Sequence, residues 1–145
     1  MLRMTVAFNN LPEFGTDTHD LLGQIVVKAT HDLQGRMQER IQEPHATGRI
    51  YPRPGGKFHQ ASAPGESPAT DLGHLVNSIV ADTQHARTQL LGEVTVGAEY
   101  GSHLEFGTVK MAPRPFLAPS IDEIRPAFEA ASRAAMKRAG DQNGQ

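Results

Sequence analysis

An α+β domain, in which a small antiparallel sheet is packed by a long N-terminal helix and a C-terminal helix and carries a long projecting hairpin arm, follows from three features of this 145-residue sequence. Apolar residues alternate at the N-terminus and again after residue 79, the period of half-buried strands. They recur at three- and four-residue steps in two longer stretches, the period of helices. Between these patterned segments, residues 43–70 carry Pro44, Gly48, Pro52, Pro54, Gly55, Gly56, Pro64, Gly65 and Pro68. A compact domain rarely spends so many residues on one connection unless it has a use for them.

The elements follow in order. Leu2, Met4, Val6 and Phe8 alternate with Arg3, Thr5 and Ala7, a short strand that Asn9, Asn10, Leu11 and Pro12 break. Thr16 or Asp17 is placed to cap a helix, with Asp17 and Asp20 where the helix dipole favours acid. Leu22, Ile25 or Val26, Ala29, Leu33, Met37 and Ile41 then form one apolar stripe of about seven turns, tolerating Gly35 and ending at Pro44. In the arm, Arg49-Ile50-Tyr51 and Lys57-Phe58-His59 flank Pro54-Gly55-Gly56, a hairpin pattern, and Pro64-Gly65 and Ser67-Pro68 are stiff turns. Asp71 is positioned to cap a short helix with Leu72, Leu75, Val76 and Ile79 as its stripe. Ile79, Val80 and Ala81 turn extended, residues 82–88 form a polar hairpin connection, and residues 89–97 form the next strand. Residues 100–106 make a short helical turn with Gly107 as a left-handed C-cap. The terminal helix begins near residues 115–120, turns Phe116, Leu117, Ile121, Ile124, Phe128, Ala131 and Ala135 inward, kinks or restarts at Pro126, and carries Arg133, Lys137 and Arg138 near its end. Residues 1–139 thus form one domain, and residues 140–145 are expected to fray.

Composition excludes several functions. There are no cysteines, hence no disulfide framework and no thiol nucleophile, as in a protein made in a reducing cytosol. No apolar run approaches the roughly 20 residues that span a bilayer, and residues 1–5 are not followed by a signal-peptide apolar core. The net charge of −2 lacks the basic excess of a dedicated nucleic-acid binder. Charge is unevenly spread, however. Residues 71–106 hold one cation, Arg87, against Asp71, Asp82, Glu93, Glu99 and Glu105, whereas the remainder to residue 145 holds six cations against four carboxylates. Such a spread is either ordinary solvated surface or the two sides of a subunit that meets its copies head to tail.

No catalytic or metal motif stands out. The seven histidines are scattered, with no pair four apart on one helix and no H-E-x-x-H, so metal ligation and cofactors are not expected. Ser62 and Ser67 lie in a proline-rich loop without a G-x-S-x-G turn, an unsuitable seat for a nucleophile. Gly55-Gly56-Lys57 lacks the remainder of a phosphate loop. Asp122 and Glu123 fall on a helix first turn, where the dipole accounts for them. Arg49, Arg53, Lys57 and His59, interleaved with Tyr51 and Phe58, form the candidate interface of the arm. They suit either nucleic-acid phosphates and bases or acidic patches on a neighbouring protein, and the near-neutral total favours the protein. Leu104-Glu105-Phe106-Gly107-Thr108 followed by Pro113-Arg114-Pro115-Phe116 is the second candidate cluster. Two prolines hold Arg114 in extended backbone for pairing with a carboxylate, Glu105 being the nearest, within the chain or across to a neighbour, or simply turn the chain so that Phe116 and Leu117 dock, and the two roles are compatible.

Five motifs stand in one order: Thr47-Gly48-Arg49-Ile50-Tyr51; residues 59–69, HQASAPGESPA; Asp71-Leu72-Gly73-His74-Leu75 with Ser78-Ile79; Leu104-Glu105-Phe106-Gly107-Thr108; and Pro113-Arg114-Pro115-Phe116-Leu117. This set resembles the minor neck, or tail-completion, proteins of tailed bacteriophages, across residues 21–139. A basic residue is usual in that family where His74 stands here. The resemblance implies a non-enzymatic virion component, made in the bacterial host cytoplasm, that forms a homo-oligomeric ring in the head–tail neck. Its implied partners are connector proteins below the portal and the tail terminator or tail tube, with DNA passing through the lumen. A tail terminator and a DNA-contacting accessory protein are the alternatives.

Overall fold

The computed structural model describes residues 1–8, 15–43 and 46–142. Its elements are β1 (Leu2–Ala7), α1 (Thr16–Gln42), β2 (Ile50–Arg53), β3 (Lys57–Gln60), α2 (His74–Asn77), β4 (Ile79–Asp82), β5 (Leu91–Val96), α3 (Gly101–Phe106) and α4 (Leu117–Gln142). A three-stranded antiparallel sheet has the order β1-β5-β4, and β2 and β3 form a separate two-stranded sheet. The expected α+β architecture is therefore the one observed.

Register explains the core. Leu2 pairs with Val96 and Met4 with Val94, while Ile79 and Ala81 pair with the same two valines from the other side. Paired residues share a face, so the alternating apolar positions of three strands form one surface. That surface packs with Leu33, Met37 and Ile41 of α1 and with Phe116 and Leu117 at the start of α4. Each fully buried side chain of this size contributes about 1.5–3 kcal/mol relative to exposure. A second cluster joins Leu22 and Val26 of α1 to Ala86, Leu90 and Ala135, with the rings of Phe8 and Phe128 5.3 Å apart beside it. Helix and sheet approach so closely that a Cβ on Gly92 would lie 2.0 Å from Thr30 Oγ1. The opposite sheet face carries Arg3, Thr5, Val80 and Asp82, all exposed.

Several local expectations are corrected. Gly15, in extended backbone, is the N-cap of α1, and neither Thr16 nor Asp17 caps it. The breaks expected at residues 9–12 and at Pro44 lie outside the described residues. Asp71 and Leu72 do not belong to α2: Gly73 precedes that helix at φ 77°, and Leu72 is 74% exposed. Helix α4 is continuous through Pro126 and on to Gln142, so its last turn holds no cation and residues 140–142 are helical. Residues 143–145 lie outside the description. Ser132, not Ala131, faces inward on α4. Its polarity hid it in the sequence, but its hydroxyl donates to Phe128 O at 2.6 Å, as Ser120 donates to Phe116 O.

Candidate functional site

The hairpin arm is built from cross-strand pairs Ile50/Gln60, Tyr51/His59, Pro52/Phe58 and Arg53/Lys57. The ladder continues one step toward the body, with Gly48 N–H donating to Ala61 O at 2.9 Å and Ala61 N–H to Arg49 O at 3.0 Å. Pro52 is tolerated because an isolated two-stranded ribbon consists only of edges. Glu66 closes the root: its carboxylate accepts Thr47 N–H at 3.0 Å, Ala63 N–H at 2.7 Å and the Thr47 hydroxyl. A charge-assisted clamp of this kind fixes where the ribbon leaves the body.

The return segment does not project. Gly65 N–H donates to Pro113 O at 2.9 Å, Ser67 Oγ to Pro115 O at 3.2 Å, and Arg114 Nε to Ser62 O at 3.2 Å. Thr70 N–H then reaches Ile41 O at the end of α1, and Ser62 and Pro68 are buried. The arm expected over residues 43–70 is thus a ribbon of residues 48–61 seated on a docked strap. Proline and glycine content marked the whole connection, while the hydrogen bonds that separate its two halves come from residues about fifty positions away.

Within the chain the expected Arg114–Glu105 pair is absent. Glu105 is 5% exposed, and its carboxylate accepts Phe116 N–H at 2.8 Å, Leu117 N–H at 2.9 Å and Ala118 N–H at 2.9 Å. These are donors that the first turn of α4 cannot use within the helix, and the positive helix end favours a carboxylate there. Glu105 therefore caps a helix whose first turn is buried at Phe116, which is 0% exposed. Arg114 is held by its own N–H, which donates to Leu104 O at 2.7 Å, and by Nε on Ser62. Its terminal guanidinium nitrogens have no partner among the described residues. Pro113 and Pro115 keep the backbone around it extended.

Gly107 is not a left-handed cap, having φ 76° and ψ −179°. That region is essentially restricted to glycine, and a Cβ would lie 2.8 Å from Met111 O and 2.9 Å from Pro113. Phe106 is 69% exposed, whereas Phe116 is fully docked.

Alternation divides the predicted arm residues between two faces. Ile50, Pro52, Phe58 and Gln60 share one, and Phe58 is 75% and Ile50 58% exposed. Arg49, Tyr51, Arg53, Lys57 and His59 share the other. On that face Arg53 forms an ion pair with Asp71, His59 Nδ1 lies 3.8 Å from the same carboxylate, and the Arg49 guanidinium sits 5.5 Å from the Tyr51 ring centre. Tyr51 and His59 also line a concavity of about 440 Å³ with Ser62, Asp71, His74, Tyr100 and Arg114. Phe58 is thus the one predicted arm residue on the apolar face. Ile50 and Pro52, which complete it, were legible in the strand alternation.

Sequence reasoning also missed the joint between α1 and α4. Arg36 Nε donates to Glu123 Oε2 at 2.6 Å, Arg40 pairs with the same carboxylate, and Arg36 also donates to Glu39 at 2.8 Å. The Arg36 hydrogen bond, foremost, holds the Glu123 carboxyl below its ordinary value. Arg36 and Arg40, one turn apart on α1, were the available signal. Among the described residues no three metal-ligating side chains cluster, and no helix is long and apolar enough to cross a membrane. No family model, curated protein or solved structure matches the chain.

Proposed function

We propose that this chain is a structural subunit of the head–tail neck of a long-tailed phage or phage-like particle, a ring component that joins the connector below the portal to the tail tube and performs no catalysis. The observation that carries the reading is the ribbon. It exposes Ile50, Pro52 and Phe58 on one face while Glu66 and the strap on Pro113–Pro115 fix its root. An apolar face held outward by a rigid base is a surface to be covered by protein. Covering Phe58 and Ile50 would contribute about 1.5–3 kcal/mol each at full burial.

The five ordered motifs that resemble tail-completion proteins supply the particle and the ring. Their residues also converge: Glu66 clamps the ribbon root, residues 62–67 lie on Pro113–Pro115, and Glu105 caps the helix that follows. A set of motifs that builds one joint is what a subunit needs to present an arm in a fixed direction. The resulting location is the virion neck, after synthesis in the host cytoplasm. A tail terminator would use the same ribbon, and position in the particle distinguishes the two. The observations favour a DNA-contacting role for the arm less, because Arg53 is engaged by Asp71 and the Arg49 guanidinium lies over the Tyr51 ring.

Deleting residues 52–57 tests the reading. The variant should stay folded and monomer-competent, and particles should accumulate as separate heads and tails. Complete infectious particles from the deletion variant would overturn it.

A further inference from the structure

We propose that the concavity between the ribbon and α3 is a carboxylate-accepting pocket, which takes an acidic side chain flanked by apolar residues from a neighbouring protein subunit. The anchor is Arg114. Its backbone N–H is bound to Leu104 O at 2.7 Å and its Nε to Ser62 O at 3.2 Å, so the guanidinium is fixed in place. Arg114 lines the pocket, and its terminal nitrogens have no partner among the described residues. A half-buried guanidinium with its fork free matches a carboxylate in two-point geometry.

The surroundings agree. Asp71 is the pocket's own carboxylate, and Arg53 offsets it. His59, His74, Tyr51 and Tyr100 add polar groups around the opening. The rim is apolar and unusually exposed: Leu72 is 74%, Tyr100 46% and Tyr51 44% exposed. A concave arginine ringed by tyrosine and leucine is the composition of a protein interface centre. Phosphate backbones, by contrast, are met by open rows of cations. The inference rests on the assembly reading only in naming a neighbouring subunit as the source of the carboxylate.

The test is an NMR titration of the full chain with the blocked peptide Leu-Asp-Leu, with Leu-Asn-Leu and inorganic phosphate as parallel arms. The acidic peptide should shift resonances of Tyr51, His59, His74, Tyr100 and the Arg114 side chain, with millimolar affinity. Arg114→Lys, which keeps the charge and loses the fork, should weaken binding about tenfold. Leu72→Ser, at an exposed position that leaves folding intact, should also weaken it. Equal shifts from the asparagine peptide, equal shifts from phosphate alone, or unchanged affinity in Arg114→Lys would overturn the proposal. The titration needs no ring. Binding by a chain that fails to assemble would sink the neck reading and leave the pocket standing, and assembly without peptide binding would do the reverse.

Discussion

Replacing Glu105 by alanine removes the single group that satisfies three backbone donors at the start of α4. The distances are 2.8, 2.9 and 2.9 Å, and the N–H groups of Phe116 and Leu117 are buried. A buried donor left without a partner costs about 1–3 kcal/mol. Ala118 is exposed, so water replaces the carboxylate at its N–H. Two buried orphans, partly relieved by water entering the vacated space, give a loss of about 3 kcal/mol. At about 3 °C per kcal/mol for a chain of this length, the melting temperature should fall by about 10 °C. Glu105→Gln keeps the shape but turns an amide group toward the same donors, and should lose about half as much. The control is Glu129→Ala, which breaks only an exposed pair with Arg133 at 3.1 Å and should stay within about 0.5 kcal/mol of the parent. Urea unfolding and thermal scans on the three variants decide the matter. A Glu105→Ala chain as stable as Glu129→Ala would show that the cap does not support the helix.

Gly107→Ala should cost about 3 kcal/mol, because the φ of 76° with extended ψ is strained for alanine and the added methyl meets Met111 O; denaturant midpoints would reveal a smaller effect. Gly92→Ala should destabilise by about 1–3 kcal/mol through the 2.0 Å approach to Thr30 Oγ1, and adding Thr30→Ala should recover part of the loss. Strict additivity in that double-mutant cycle would refute the contact. Glu123 holds its charge in the folded chain below its ordinary value of 4.5, so its stabilisation is present above that value and is lost as pH falls through the depressed one. Glu123→Gln should therefore be less stable than the parent at neutral pH and equal to it in acid. A stability difference that persists unchanged into acid would contradict the assignment.

Period and punctuation in the sequence determined the elements. The alternation of Leu2, Met4 and Val6, the stripe from Leu22 to Ile41 and the glycine turn between Tyr51 and Phe58 each specify local backbone, because strand, helix and hairpin impose their own spacing on nearby residues. Glu105 and Arg114 were legible as important but not as to their partners. Nine residues apart and each able to pair with the other, they instead satisfy different neighbours, since orphaned helix donors attract a buried carboxylate strongly and a carbonyl suffices for an arginine Nε. The direction of Arg53 and His59 toward Asp71, the docking of residues 61–70 and the bond between Arg36 and Glu123 were decided only when distant segments met. A sequence fixes which groups exist and how they recur. Which of several competent partners a polar group takes depends on desolvation and distance, and these are set once the chain has closed around its core.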